Sequence, residues 1–309
     1  MLPGDAPMFF RRVPECPDGF LMGSRGEGTR EEPRHRVLIT EPFLIGIHQV
    51  TQAQFALWTR SEDYGRWSAK AIARKLLGDG RRHENYFKDQ PDHPAERVTW
   101  HEAVAFCNWA NAEYGSLLPA DCKATLPAEA QWEYACRGPE KPSQRMNPET
   151  EYHTGEGEAA LAEAGWYEGN SENQTQPVGG KKANAWGVHD FHGNVWEWCC
   201  DVWDARAYRK RPDGWVAREW TLADARFDAE EQKYPLRVLR GGSWGDSARF
   251  CRSSFRNGIG PDVRGRLVGF RVCLVPRPGR AERGAPETAS QAEPGLETEG
   301  EGVAGTGFC

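Results

Sequence analysis

The apolar positions of this chain fall into three helical stripes and several short β-type runs. Thr51 opens TQAQFALWTRS with Gln54 three residues on, the spacing of a capping box. Thr99 opens TWHEAVAFCNWANAEYG with Glu102 at the same offset. Ala103, Phe106, Cys107 and Ala110 then keep the stripe of an amphipathic helix, and Gly115 is a natural stop. Pro127 leads AEAQWEYACRG, which closes at Gly138. HRVLIT, FLIGIHQV, LRVLRGG and GFRVCLV read as strands, and the Gly/Asn/Pro/Asp stretches between them as loops. From Pro139 to Ala185 there is little periodicity, so surface loop is expected there. The pattern predicts an α+β domain with few helices and long ordered loops.

Composition narrows this reading. The chain has 309 residues, enough for a sizeable core, and a net charge of -6, which offers no basic field for nucleic acid. No apolar run approaches the roughly 20 residues that span a bilayer, and the N-terminus shows no secretory pattern. A cytoplasmic location is the default expectation, or display by an unrecognised route. The nine cysteines form no CxxC pair, so reduced thiols are expected. The 13 Trp and 34 Gly suggest irregular backbone anchored by aromatic side chains. After residue 277 the composition turns to Glu, Gly, Ala and Pro. The expected organisation is one domain over 1–277 and a disordered tail over 278–309.

Several motifs are specific. FLMGS, EEPRHRVLITEPFLIGIHQVTQAQF, LPAEAQWEYACRG, DFHGNVWEWCCD and LRGGSW…GFRV occur in an order that resembles the formylglycine-generating-enzyme, or sulfatase-modifying-factor, family. The resemblance implies a variant of the C-type-lectin fold, with small twisted antiparallel sheets and much irregular loop. The family's oxidases need two thiols after GGS[WY], a pair that can bind soft Cu(I). Here the second matches Cys251, but the first falls at Asp246, whose hard carboxylate cannot replace a thiolate. Cys251 also reads simply as a small buried residue. No copper-dependent oxidase is therefore expected. The HxxxHxE iron motif of the related sulfoxide synthases is absent.

The resemblance also implies a structural calcium ion. Its ligands would be Asp190, the carbonyls of Gly193 and Val195, and Glu197, an oxygen-only set of the kind Ca²⁺ favours. The alternative is a loop held by hydrogen bonds alone, with Trp196 and Trp198 as core anchors. His192 reads as structural, one ring nitrogen bonding backbone.

LRGGSWGDSARFCRSSFRNGIGPDVRGRLVGFRV, residues 239–272, has idiomatic ends and an arbitrary middle. From Gly245 to Val268 there is no Trp, Met, Lys, Glu or Gln. No single physical environment excludes all of these. Asparagine codons randomised at both adenines do, and they never yield a stop. The stretch thus resembles the variable region of a diversity-generating retroelement, several of whose target proteins have this fold. The resemblance implies variable positions at Gly245, Asp246, Ser247, Phe250, Phe255, Asn257, Gly258, Ile259, Gly260, Val263, Gly265, Arg266 and Leu267. Arg249, Cys251, Arg252, Arg256, Pro261, Asp262 and Arg264 would be scaffold. The expected function is ligand binding, with Phe250, Phe255, Ile259 and Leu267 as apolar anchors and Asp246, Asn257 and Arg266 giving polar specificity. The partner is expected to be a protein or other macromolecule. An ordinary paralogue of the family is the alternative. The variable side chains are expected to be exposed on one surface, and the interleaved ones more buried.

Overall fold

The computed structural model describes residues 6–26, 30–73, 81–138, 150–217 and 235–277. The chain divides into one unit over Met1–Arg277 and a second over Pro278–Cys309, which is the predicted tail and lies outside the described residues.

Two of the predicted helices begin at true capping boxes. Thr51 caps α1 (Gln52–Thr59) and Thr99 caps α3 (Trp100–Tyr114), each with reciprocal bonds to the residue three on. Between them lies α2 (Glu62–Ala73). Helix α4 (Glu129–Arg137) starts after Ala128, so Pro127 stands one residue outside it, and Gly138 closes it in the left-handed region at φ 46°. The expected loop over 139–185 is corrected in part. Gly157–Ala164 forms α5, short enough that its apolar period is hard to see, while 139–149 lies outside the described residues. A last turn, α6, spans Ala207–Lys210.

The strands make small sheets, as mixed α+β folds of the C-type-lectin type do. One runs β1 (Phe10–Val13), β4 (Phe43–Gly46), β13 (Cys273–Pro276) and β5 (Cys122–Thr125), joining the beginning and end of the domain. A second runs β11 (Arg256–Ile259), β10 (Arg237–Arg240), β8 (Trp196–Val202) and β12 (Val268–Gly269). A third joins β2 (Cys16–Met22), β3 (His35–Ile39) and β9 (Trp215–Val216), and β6 (Gly165–Trp166) pairs β7 (His192–Gly193). Two main cores fill the space between. One gathers α1 and α3 with Trp196, Trp198 and Phe270; the other gathers α4 with Val37, Phe191 and Val238. No disulfide joins the described cysteines.

Candidate functional site: a loop-built face pinned from below

Strand β10 delivers the chain to Gly241 and Gly242, both left-handed at φ 94° and 71°. At Gly242 a Cβ would stand 2.6 Å from the Cys251 sulfur, so the tight return needs glycine there. The chain then makes a 3-10 turn over Ala248–Cys251, strand β11, and a loop into β12.

Buried acids from distant segments fasten this stretch. Arg252 forks onto Glu31 at 3.1 and 2.9 Å, and Ser254 donates to the same carboxylate at 2.7 Å. Arg256 forks onto Glu129 at 2.5 and 2.7 Å. Burial alone would raise the Glu129 pKa, but the guanidiniums of Arg256, Arg240 and Arg211 bring it down to about 2. Arg264 donates to Glu102 at 2.7 Å. From β10, Arg240 pairs with Glu133 and donates to the carbonyls of Ser253, Ser254 and Phe255. His192 completes the underside: Nδ1 donates to Cys251 O at 2.7 Å and Nε2 accepts from His153 N. Burial lowers the His192 pKa well below its ordinary value, so the ring is neutral, as this pattern requires.

The residues between these pins stand differently. None of the thirteen positions inferred to vary is buried, whereas Cys251, Arg252, Ser253, Ser254, Arg256 and Pro261 all are. Gly245, Val263 and Arg266 are exposed, and the other ten are half-buried. Phe250 meets Phe255 edge-on at 4.9 Å, and Phe255 meets Trp196 at 6.0 Å. Trp196 N donates to Leu267 O at 2.7 Å, and Leu267 lies beside Gly245. These contacts join both ends of the stretch into one apolar patch at the edge of the larger core. Arg249, expected to be scaffold, is exposed and lies over Phe250.

Two expectations are corrected. Gly258 turns toward Trp203, where a Cβ would come within 2.2 Å of the indole, on the side of β11 that Arg256 shares. It faces away from the patch and is closed to larger residues. Asp246 turns inward as well, accepting from Trp196 Nε1 at 2.8 Å and from Ser243, so its carboxylate is not free at the surface.

The sequence reading missed a neighbouring wall. Arg266 lies between the rings of Trp244 and Tyr86, at 5.2 and 5.4 Å. Tyr86 is 52% exposed, and Phe87 packs edge-on against Trp244. Buried Glu96 accepts from the backbone N–H of both Tyr86 and Phe87, and burial pushes its pKa up to about 7. Arg97 N donates to Gly265 O at 3.1 Å, docking this segment on the stretch. The available signal was an adjacent aromatic pair within the polar run HENYFKDQ.

The carbonyls of Gly193 and Val195 and the Glu197 carboxylate converge as inferred, but on protein, and Asp190 joins them by its backbone carbonyl while its carboxylate accepts from Gly179 N. Nε2 of Gln49 lies 3.1, 3.1, 3.0 and 3.1 Å from Asp190 O, Gly193 O, Val195 O and Glu197 Oε1. Calcium takes oxygens at about 2.3–2.6 Å with no donor hydrogen among them, so the cage in this arrangement does not fit the ion. Glu197 is also forked by Arg271 at 2.7 Å twice and bonded by Trp132 at 2.6 Å. The Cys251 thiol is wholly buried and its pKa is pushed far up, first by that burial.

Fold and face together define a mixed α+β scaffold of the C-type-lectin type carrying a loop-built surface. Residues 17–275 match the sulfatase-modifying factor enzyme 1-like domain, and the chain belongs to that family. The formylglycine-generating enzyme of Thermomonospora curvata is 28% identical over 86% of this chain and 91% of its own length. Hercynine oxygenase of Mycolicibacterium smegmatis is 30% identical over 78% of this chain and 55% of its own length. Treponema denticola variable protein 1 has the same fold, with TM-score 0.61 and 24% identity over 88% of this chain and 95% of that one. PvdO of Pseudomonas aeruginosa has TM-score 0.63 and 24% identity over 88% and 99%. Among the described residues no helix is long and apolar enough to cross a membrane.

Proposed function

We propose that this chain is a ligand-binding member of the family whose face is built by the diversified stretch, without Gly258, and by the constant residues Trp244, Tyr86 and Phe87. One observation carries the reading. None of the positions that the resemblance implies to vary is buried, while neighbours one or two residues away are pinned to buried glutamates. This alternation within one short stretch requires a cause. Tolerance of many side chains over a fixed backbone is such a cause. Phe250, Phe255, Ile259 and Leu267 present the apolar centre, and Arg266, stacked between two rings, the polar margin. A protein or other macromolecule is the class of ligand that an apolar patch assembled from several loop positions suits. A solved protein of the same fold carries the name variable protein, which agrees with this reading.

The family also contains named enzymes. In this chain an inward carboxylate and a sealed thiol stand where the oxidases need two thiols, and neither favours oxygen activation at copper. The decisive experiment is a library randomised at the twelve positions, compared with one randomised at Arg252, Ser253, Ser254 and Arg256. Most members of the first are expected to stay folded by protease resistance, and few of the second. Equal losses in both would overturn the proposal.

A further inference from the structure

Gln49 lies between β4 and α1 and is fully buried. Its amide nitrogen has two hydrogens, yet four oxygens crowd it at 3.0–3.1 Å. Three carbonyls and a carboxylate aimed at one point make an electrostatic seat for positive charge. The hydrogen-bearing end of an amide is a weak version of that charge. With the amide reversed, Oε1 would face four other oxygens, so the acceptors fix its orientation. Charge balance agrees with a neutral occupant, because the Arg271 fork already neutralises Glu197. The cost is two buried oxygens, Gln49 Oε1 and Asp190 Oδ1, that have no partner among the described residues.

The cage loop touches the binding face at three places. Gly193 N donates to Gly241 O at 2.7 Å, Trp244 N to Asn194 O at 2.9 Å, and Trp196 N to Leu267 O at 2.7 Å. A cage that needed an ion would make the face depend on metal supply. We propose that the Gln49 amide takes the place of a cation here, so that this loop and the face it supports are ordered without metal.

The full chain should be compared with Gln49→Glu and Gln49→Ala by thermal unfolding with calcium and with a chelator, and by elemental analysis after dialysis against calcium. The wild-type chain is expected to hold no stoichiometric calcium and to melt at the same temperature in both conditions. Gln49→Glu adds a second carboxylate to the seat, and its melting temperature is expected to rise with calcium by ~3 °C or more. Gln49→Ala empties the seat; it should melt lower and recover part of the loss with calcium, which keeps the test open if Gln49→Glu does not fold. A saturable calcium-dependent rise in the wild type, or bound calcium in it, would overturn the proposal. So would two folded variants that both ignore calcium, since the cage would then be no seat for a cation.

Discussion

The cage loop and the stretch from Gly245 to Leu267 are both largely irregular backbone, yet they are held in opposite ways. From Asp190 to Glu197 every residue is buried, and side chains and carbonyls alike are committed to neighbours. From Gly245 to Leu267 commitment comes at intervals, through Asp246, the run from Cys251 to Ser254, Arg256, Gly258, Pro261 and Arg264, and most of the residues between are half-buried or exposed. Irregular backbone therefore does not require that every side chain be fixed. A few guanidiniums with several donors each can hold the path and leave the rest free.

The largest effect should come from breaking a pin. Arg256→Met leaves the Glu129 carboxylate buried without its main partner and is expected to cost about 3–5 kcal/mol by denaturant unfolding. Combining it with Glu129→Met should return much of that loss; a double variant as weak as the single one would show that the pair is not the cause.

The wall beside the stretch should respond to pH. The Glu96 pKa in the folded chain, about 7, lies above its ordinary value of 4.5 because of burial. Its stabilising contribution is thus complete below the ordinary value and is lost as pH rises through about 7. Melting temperature should fall between about pH 4.5 and about pH 7 and level off above that, and Glu96→Gln should flatten that slope. An identical slope in the variant would assign the effect to another group.

Glycines inside the stretch offer a finer comparison. Gly258→Ala drives a methyl into Trp203 and is expected to cost about 1–3 kcal/mol, whereas Gly245→Ala, at an exposed position, should be near neutral. Equal costs would restore Gly258 to the freely varied set. A small effect on stability is expected for Phe250→Ser. Half-buried at the core's edge, it should lower stability by about 1 kcal/mol or less while weakening any selected ligand far more, readable by calorimetry against surface plasmon resonance.

Much of the fold was legible because its signals are local. Thr51 with Gln54, Thr99 with Glu102, and Gly138 act within one helical turn, so short windows of sequence reveal them. The alternation of buried and unburied positions along the stretch follows the division that the resemblance implied, although only Gly245, Val263 and Arg266 are exposed. What escaped depends on distance along the chain. Gln49 meets Glu197 across 148 residues, and Arg252 meets Glu31 across 221. Gly258 differs from its neighbours only because Trp203 covers one side of β11, and Tyr86 joins the face only because Glu96 ties its backbone. Helix α5 was overlooked because GEAALAEA is short and rich in alanine, with two buried residues to mark its inner side.

Strand β11 lies at the edge of its sheet and is four residues long, with Gly260 and Pro261 directly after it. Edge strands invite pairing between molecules, and a segment that samples Phe, Ile and Val at random would soon produce sticky ones. Here Arg256 is drawn inward at one end, Gly258 is closed by Trp203, and proline halts the ladder at the other. If the stretch is diversified as proposed, a repertoire of apolar faces can be drawn from this scaffold with little risk of aggregation through that edge.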